Sequence, residues 1–249
     1  MRSSRIALGL IALLPAVPGT ARAARDIEFA GAPTSAQFDD LTREMGVSLF
    51  SATLTPAEGL GPGRVELMAA GTATKIDGEA PYWRKATAGR TRSGNFVFPH
   101  AAGRVGLPVG LDLAASYGRL PGTNVRTAGG EIKWAFVNGS ATVPAVALRL
   151  AHTRMNGVDQ MDLKATLLDL SISKGFGPFT PYGGAGRLWL DSKVHDIPGD
   201  PDFSLKSSPG VNRLFAGARL STGWFRVYAE AQRGAGVTSY SLALALKVP

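Results

Sequence analysis

The sequence contains no cysteine in its 249 residues. That excludes disulfides, thiolate metal ligands, a cysteine nucleophile and a lipid-attachment cysteine. Histidine is scarce as well: His100, His152 and His195, no two of them at His-x-x-x-His spacing. A zinc or haem site is therefore not expected, and no cofactor is implied. No Gly-x-Ser-x-Gly elbow occurs. Long hydrophobic runs are also missing. Beyond residue 24, Gly, Pro or a charge interrupts every apolar run within about ten residues, whereas a membrane helix needs roughly 20. An inner-membrane helical protein is therefore not expected.

Three features of a secretory signal open the chain. Arg2 and Arg5 form a basic start, Ile6 to Val17 an apolar stretch, and Ala21-Arg22-Ala23 a small-x-small cleavage site. Cleavage after Ala23 is expected, with periplasm, outer membrane or exterior as destinations. The formal charge is +8, and loss of Arg2, Arg5 and Arg22 leaves +5. A modest positive charge on an exported protein points to lipopolysaccharide phosphates or anionic solutes. No aromatic-interleaved basic motif indicates nucleic acid.

The 31 glycines and 16 prolines suit many turns. Between the turns, apolar residues recur at every second position. In the last stretch Tyr240, Leu242, Leu244, Leu246 and Val248 share one face, and Ser241, Ala243, Ala245 and Lys247 the other. Ile132, Trp134 and Phe136 oppose Glu131 and Lys133; Val146, Leu148 and Leu150 oppose Ala147 and Arg149; Leu214 and Leu220 oppose Arg213, Phe215 and Arg219. One segment breaks the alternation: Met161, Leu163, Ala165 and Leu167 are odd, but Leu168, Leu170 and Ile172 are even. A β-bulge near Leu167-Leu168 would repair it.

The fold class expected is all-β: a transmembrane antiparallel up-and-down β-barrel with a short N-terminal helix. Eleven segments read as strands, counting a weak one at Val47–Leu54. Single-chain bacterial barrels have even strand numbers, so ten or twelve are expected. Thr34 or Ser35 would cap a helix through Phe38, Leu41 and Met45. That helix plugs the lumen, lies in the periplasm or packs as an N-terminal turn. The division expected is signal peptide 1–23, N-terminal segment 24–45 and barrel 46–249. Counting back from a periplasmic C-terminus sends the connections near 78–95, 121–124, 155–157, 193–210 and 234–237 outside. The short turns near 107–108, 138–141, 175–178 and 222–223 then fall inside, as in outer-membrane barrels.

Parity places eleven charges on the inner face: Glu66, Asp112, Glu131, Lys133, Arg149, Lys164, Asp169, Arg187, Arg219, Arg226 and Glu230. Charges inside a barrel must be paired or wet. Six basic and five acidic groups fit an ion-pair network filling a narrow lumen, or a water-filled pore with weak anion preference. A single-sign ring would have favoured the pore.

Gly106 to Gly118 reads Gly-Leu-Pro-Val-Gly-Leu-Asp-Leu-Ala-Ala-Ser-Tyr-Gly, followed by Gly-Glu-Ile-Lys-Trp-Ala-Phe at 130–136 and Val-Pro-Ala-Val-Ala-Leu-Arg at 143–149. With Leu-Asp-Leu-Ser-Ile-Ser-Lys-Gly-Phe-Gly-Pro-Phe-Thr-Pro-Tyr at 168–182, this block resembles a family of uncharacterised proteobacterial outer-membrane β-barrel proteins. The resemblance covers roughly residues 35–248. It implies architecture and outer-membrane location, but no activity and no functional residues. Outer-membrane proteins usually end on an aromatic residue that their assembly machinery reads; this sequence ends Lys247-Val248-Pro249.

The function expected is a small pore or a structural surface protein rather than an enzyme. Its partners would be outer-membrane lipid and lipopolysaccharide, the barrel-assembly machinery and small solutes. Two alternatives stay open. A soluble secreted β-barrel binding a small apolar ligand would turn Lys133, Arg149 and Arg219 to solvent. An outer-membrane hydrolase would centre on the 193–210 loop, where His195-Asp196 stands near Asp200 and Asp202.

Overall fold

The computed structural model describes residues 27–50, 53–87 and 95–248. The expected signal peptide lies outside them. Eleven strands follow one another: β1 Val65–Lys75, β2 Asn95–Gly106, β3 Leu111–Arg119, β4 Arg126–Val137, β5 Ala145–Asn156 and β6 Met161–Ser173. Then come β7 Phe179–Ile197, β8 Asp200–Ser207, β9 Gly210–Thr222, β10 Phe225–Gly234 and β11 Val237–Val248.

From β1 to β7 each strand pairs antiparallel with the next. The lower half of β7 pairs with β9, followed by β10 and β11, and β11 pairs with β1 to close the ring. β8 adds no stave of its own. Ser192 faces Ser207 on β8 and Trp189 faces Gly210 on β9, so β8 and β9 run in one register along β7. They are separated only at Ser208-Pro209, where proline has no N–H to give the ladder. The barrel thus has ten staves, with the β7–β8 hairpin prolonging one side beyond the rim. The stretch from 193 to 210, expected as a loop, is largely this hairpin.

The connections separate into two groups. Those at 76–94, 120–125, 157–160, 198–199 and 235–236 share one end, called here the loop end. Those at 107–110, 138–144, 174–178 and 223–224 share the other, the turn end. The turn-forming glycines Gly139 and Gly157 have φ of 75° and 85°, the left-handed region that Asn-Gly pairs favour.

Two helices precede and interrupt the strands. α1 spans Ser35–Leu49 and α2 spans Pro81–Ala86 within the β1–β2 connection. Thr34 caps α1: the Gln37 N–H donates to Thr34 Oγ1 and the Thr34 N–H to Gln37 Oε1. Phe38, Leu41, Met45 and Leu49 form its buried face. Val47–Leu54, expected as a weak strand, is the last turn of α1 and the chain that leaves it. The N-terminal segment therefore runs to about residue 64, well past the boundary expected at 45, and the wall starts at Val65.

The path of this segment decides the interior. At the loop end the Glu28 N–H donates to Ala86 O at 3.0 Å, and the Phe29 N–H to Gln160 Oε1 at 2.8 Å. Ile27 and Phe29 join a core with Phe38, Leu41, Trp83, Phe96, Leu120 and Met161. α1 then descends along the inner wall. A Cβ on Gly46 would overlap Leu190 Cδ2, so the helix lies directly against the β7 side chains there. Residues 53–60 continue to the turn end, where Ala57 packs on Ala135, Ala145 and Ala147. There the Gly63 N–H donates to Gly106 O, and a Cβ on Gly106 would overlap Gly61 O. The chain thus threads the whole lumen before its first strand begins.

Threading also explains β6, whose pairing with β5 and β7 is regular through Leu167-Leu168, without the expected bulge. Met161, Leu163, Ala165 and Leu167 point inward onto α1 and the chain around it; Leu168, Leu170 and Ile172 point outward. The strand keeps its parity, and its inner partner changes from an apolar helix to a polar network.

Candidate functional site: a charged lumen around the N-terminal segment

Below α1 the wall side chains are ionic. Glu66 on β1 receives Arg104 from β2 at 2.6 Å and Arg226 from β10 at 2.5 Å, and Tyr228 Oη donates to it at 3.0 Å. Arg104 approaches Asp112 at 3.5 Å, and Asp112 pairs with Lys133 at 3.1 Å. Across the lumen Asp169 holds two guanidiniums, Arg149 at 2.5 Å and Arg213 at 2.9 Å. Arg213 continues to Glu230 at 2.6 Å, and Arg149 to Glu131 at 3.8 Å. Buried charges persist in this form because each has an opposite partner and further hydrogen bonds.

The same groups grip the chain inside them. Residues 53–60 form no backbone ladder, so their buried N–H and C=O groups need other partners. Glu131 accepts the Thr53 N–H at 3.1 Å and Thr53 Oγ1 at 2.6 Å, and Arg149 donates to Thr53 O at 2.7 Å. Lys133 Nζ donates to Thr55 Oγ1, Pro56 O and Glu58 O at 3.1, 3.0 and 2.8 Å. Ser173 Oγ accepts the Ala57 N–H at 3.0 Å, and Asp112 accepts the Leu60 N–H at 2.9 Å. Arg104 donates to Thr55 Oγ1, and Arg219 pairs with Glu58. Five of these wall residues thus pair with each other and with the segment at once: Arg104, Asp112, Glu131, Lys133 and Arg149.

The cavity between Phe50, Thr53, Leu54, His100, Arg213 and Glu230 measures about 20 Å³, room for about one water. A ten-stranded wall is wider than the eight strands whose side chains alone can fill the interior. Here the N-terminal segment supplies the remaining filling.

Nine of the eleven charges singled out by parity face this interior: Glu66, Asp112, Glu131, Lys133, Arg149, Asp169, Arg219, Arg226 and Glu230. Lys164 and Arg187 do not; both stand exposed on the outer face. Their inward neighbours are Leu163 and Ala165 on β6 and Leu188 and Leu190 on β7, apolar residues turned toward the N-terminal segment. Arg104, Arg213 and Tyr228 belong to the network beside the eleven. Parity against Leu214 does put Arg213 inside. Nothing in the sequence marks Thr53, Thr55 and Glu58 as their partners.

The opposite polarity covers the outside. Ile132, Trp134, Phe136, Leu150, Leu170, Ile172, Leu242 and Leu244 are all exposed. Lys133 and Arg149, between these outward residues along their strands, are 1% and 4% exposed.

At the loop end, α2 closes over α1. Trp83 Nε1 donates to the Glu44 carboxylate, and burial under this cap pushes the Glu44 carboxyl above its usual range against the lowering effect of that bond. His195 sits on the β7–β8 hairpin with Nδ1 2.7 Å from Asp196 and Nε2 3.7 Å from Asp162. Both ring nitrogens face carboxylates. Asp200 and Asp202 are exposed on β8. No group of three His, Asp or Glu among the described residues is placed to hold a metal ion.

No protein-family model and no curated protein sequence matches this chain. Solved structures do. The N-terminal β-barrel domain of Pseudomonas aeruginosa OprF is 16% identical, with a TM-score of 0.36, over 76% of this chain and 99% of that one. Ail, the attachment invasion locus protein of Yersinia pestis, is 14% identical at a TM-score of 0.36, over 75% and 99%. The transport unit of the Escherichia coli autotransporter AIDA-I is 11% identical at 0.33, over 86% and 97%. The ten-stave ring itself rests on the strand pairing described above.

Proposed function

We propose that the protein is an outer-membrane β-barrel, embedded in lipid through its apolar outer face and closed by its own N-terminal segment. On this reading it is a structural surface protein rather than an open pore. The observation that carries the reading is the inverted polarity. Ion pairs and buried Lys133 and Arg149 lie within; leucines, tryptophans and phenylalanines lie without. In water, so extensive an exposed apolar surface would drive association.

The apolar outer band fits a membrane in height. From Tyr240 to Val248 on β11, roughly 3.3 Å per residue and a tilt of about 40° give about 20 Å, close to the band of known barrels. The resemblance of residues 106–118, 130–136, 143–149 and 168–182 to outer-membrane barrel proteins supports the same reading. With the turn end in the periplasm, the loop end and the β7–β8 hairpin project outward. The N-terminal segment then starts at the cell surface and ends at the periplasmic rim. Outer-membrane lipid and lipopolysaccharide are the expected surroundings, reached through the barrel-assembly machinery.

The soluble alternative requires Lys133, Arg149 and Arg219 in solvent; Lys133 and Arg149 are buried, and Arg219 points inward to Glu58, all of which is against it. Cell fractionation tests the proposal. The protein is expected in the outer-membrane fraction, with gel migration that changes on boiling as the barrel unfolds. A freely soluble periplasmic product with heat-independent migration would contradict it.

A further inference from the structure

At the loop-end edge of the apolar band, four cations lie side by side on the outer face. Arg119 on β3 is directly opposite Arg126 on β4, and Arg154 on β5 is directly opposite Lys164 on β6. Arg126 pairs with Asn156, two residues beyond Arg154, so the two pairs adjoin diagonally. All four are exposed, and none makes an ion pair among the described residues. Asp191, opposite Lys164 on β7, bounds the patch, and Asp162 is turned to His195. Like charges directly opposite one another destabilise a sheet unless a counter-charge lies between them. Elsewhere toward the loop end, Lys193 on β7 stands opposite Lys206 on β8 but also opposite Asp162 on β6, whereas Lys75 on β1 and Arg233 on β10 stand singly.

We infer that Arg119, Arg126, Arg154 and Lys164 form a binding site for the phosphate headgroup of a membrane lipid. The inference rests on the membrane reading above. Guanidinium forks match phosphate oxygens in bidentate pairs. The position selects a lipid over a free anion. Exposed Tyr117 lies directly below Arg119 on the same face, and Leu150 lies below Arg154 beyond His152. A phosphate held by the four cations would leave its acyl chains along the apolar wall. In an outer leaflet, lipid A has that chemistry.

Full-length protein folded in neutral-detergent micelles provides the test, titrated with diphosphorylated lipid A, with dephosphorylated lipid A and with inorganic phosphate. Tight binding is expected only for the phosphorylated lipid. The R126Q/R154Q double variant removes one cation from each pair and is expected to weaken that binding by roughly 30-fold. K75Q/R233Q removes the same charge elsewhere on the rim and is expected to bind as wild type does. Without lipid, R126Q/R154Q is expected to unfold at a higher temperature than wild type, because two repulsive pairs are relieved. Equal lipid binding by R126Q/R154Q, an equal loss in K75Q/R233Q, or equal binding of the dephosphorylated lipid would each overturn the site. Competition by inorganic phosphate at the lipid's own concentration would make it a free-anion site and also overturn the lipid assignment. A wild-type protein that stays soluble and folded without detergent would instead refute the membrane reading.

Discussion

Deleting residues 35–60 is expected to turn a silent barrel into a conducting one. In planar bilayers the intact protein should insert without current steps, and the deletion variant should give discrete channels whose conductance scales with salt. The expectation follows from what would line the emptied lumen. Glu66, Arg104, Arg226, Asp169, Arg149, Arg213 and Glu230 are paired within the wall and keep those partners. Lys133 loses three acceptors on the segment but keeps Asp112 at 3.1 Å. Water entering the emptied lumen can replace what the segment supplied. The wall should therefore stay closed as a ring while the path through it clears. Both signs of charge remain there, so strong ion selectivity is not expected. Channels from the intact protein as large as those from the variant would mean that the segment does not occlude the lumen.

Removing the carboxylate of Asp169 is expected to be among the most damaging single changes in the wall. Asp169 accepts from Arg149 Nε and Nη2 and from Arg213 Nη1, and its side chain is fully buried. Asp169→Asn keeps the size and deletes the charge, which leaves Arg149 with Glu131 at 3.8 Å as its nearest carboxylate partner. Breaking a buried pair from one side costs about 3–5 kcal/mol, because the remaining charge has no return to water. The readout is the urea midpoint of the folded, heat-modifiable form in micelles, which should fall markedly. The loss should change little with added salt, since buried pairs are weakly screened. A contrasting change, Glu58→Gln, removes only the half-exposed partner of Arg219 and should cost far less. Equal midpoints for wild type and Asp169→Asn would show that the network is wet enough to dispense with pairing.

Much of this architecture is legible in the chain because a barrel with an apolar outside and a polar inside writes its two faces as a two-residue repeat. The positions of the ring's strands, the division of connections between two ends and the turns at Asn138-Gly139 and Asn156-Gly157 all follow from that repeat and from turn chemistry, which leave the count at ten or twelve. Its failures share one cause. Alternation tells two faces apart but does not say what an apolar face touches. Met161, Leu163 and Leu167 on β6, and Leu188 and Leu190 on β7, face the N-terminal segment inside, not lipid. Assigning every greasy face outward turned Lys164 and Arg187 inward and called for a bulge that β6 does not have. The same blindness made the end of α1 resemble a strand at Val47–Leu54. The β7–β8 hairpin escaped notice for a local reason: its prolines and aspartates are ordinary loop residues, yet Gly199 with φ of 88° closes a tight turn between paired strands. The contacts of Thr53, Thr55 and Glu58 are long-range, with wall residues about 50 to 160 positions away, and no local pattern encodes them.

Threading of the N-terminal segment through the lumen is open to one direct measurement. The chain has no cysteine, so two introduced thiols have no competitor. Ala57 on the segment and Ala147 on β5 are both fully buried in one small cluster near the turn end. In Ala57→Cys/Ala147→Cys protein inserted in membranes, a short bis-thiol reagent or mild oxidation is expected to join the two positions covalently. The linked peptides should be recovered after proteolysis, and neither single-cysteine variant should give them. Absence of the cross-link, with the thiol introduced at position 57 freely labelled by a water-soluble maleimide in the folded protein, would contradict a lumen closed by the protein's own N-terminal segment.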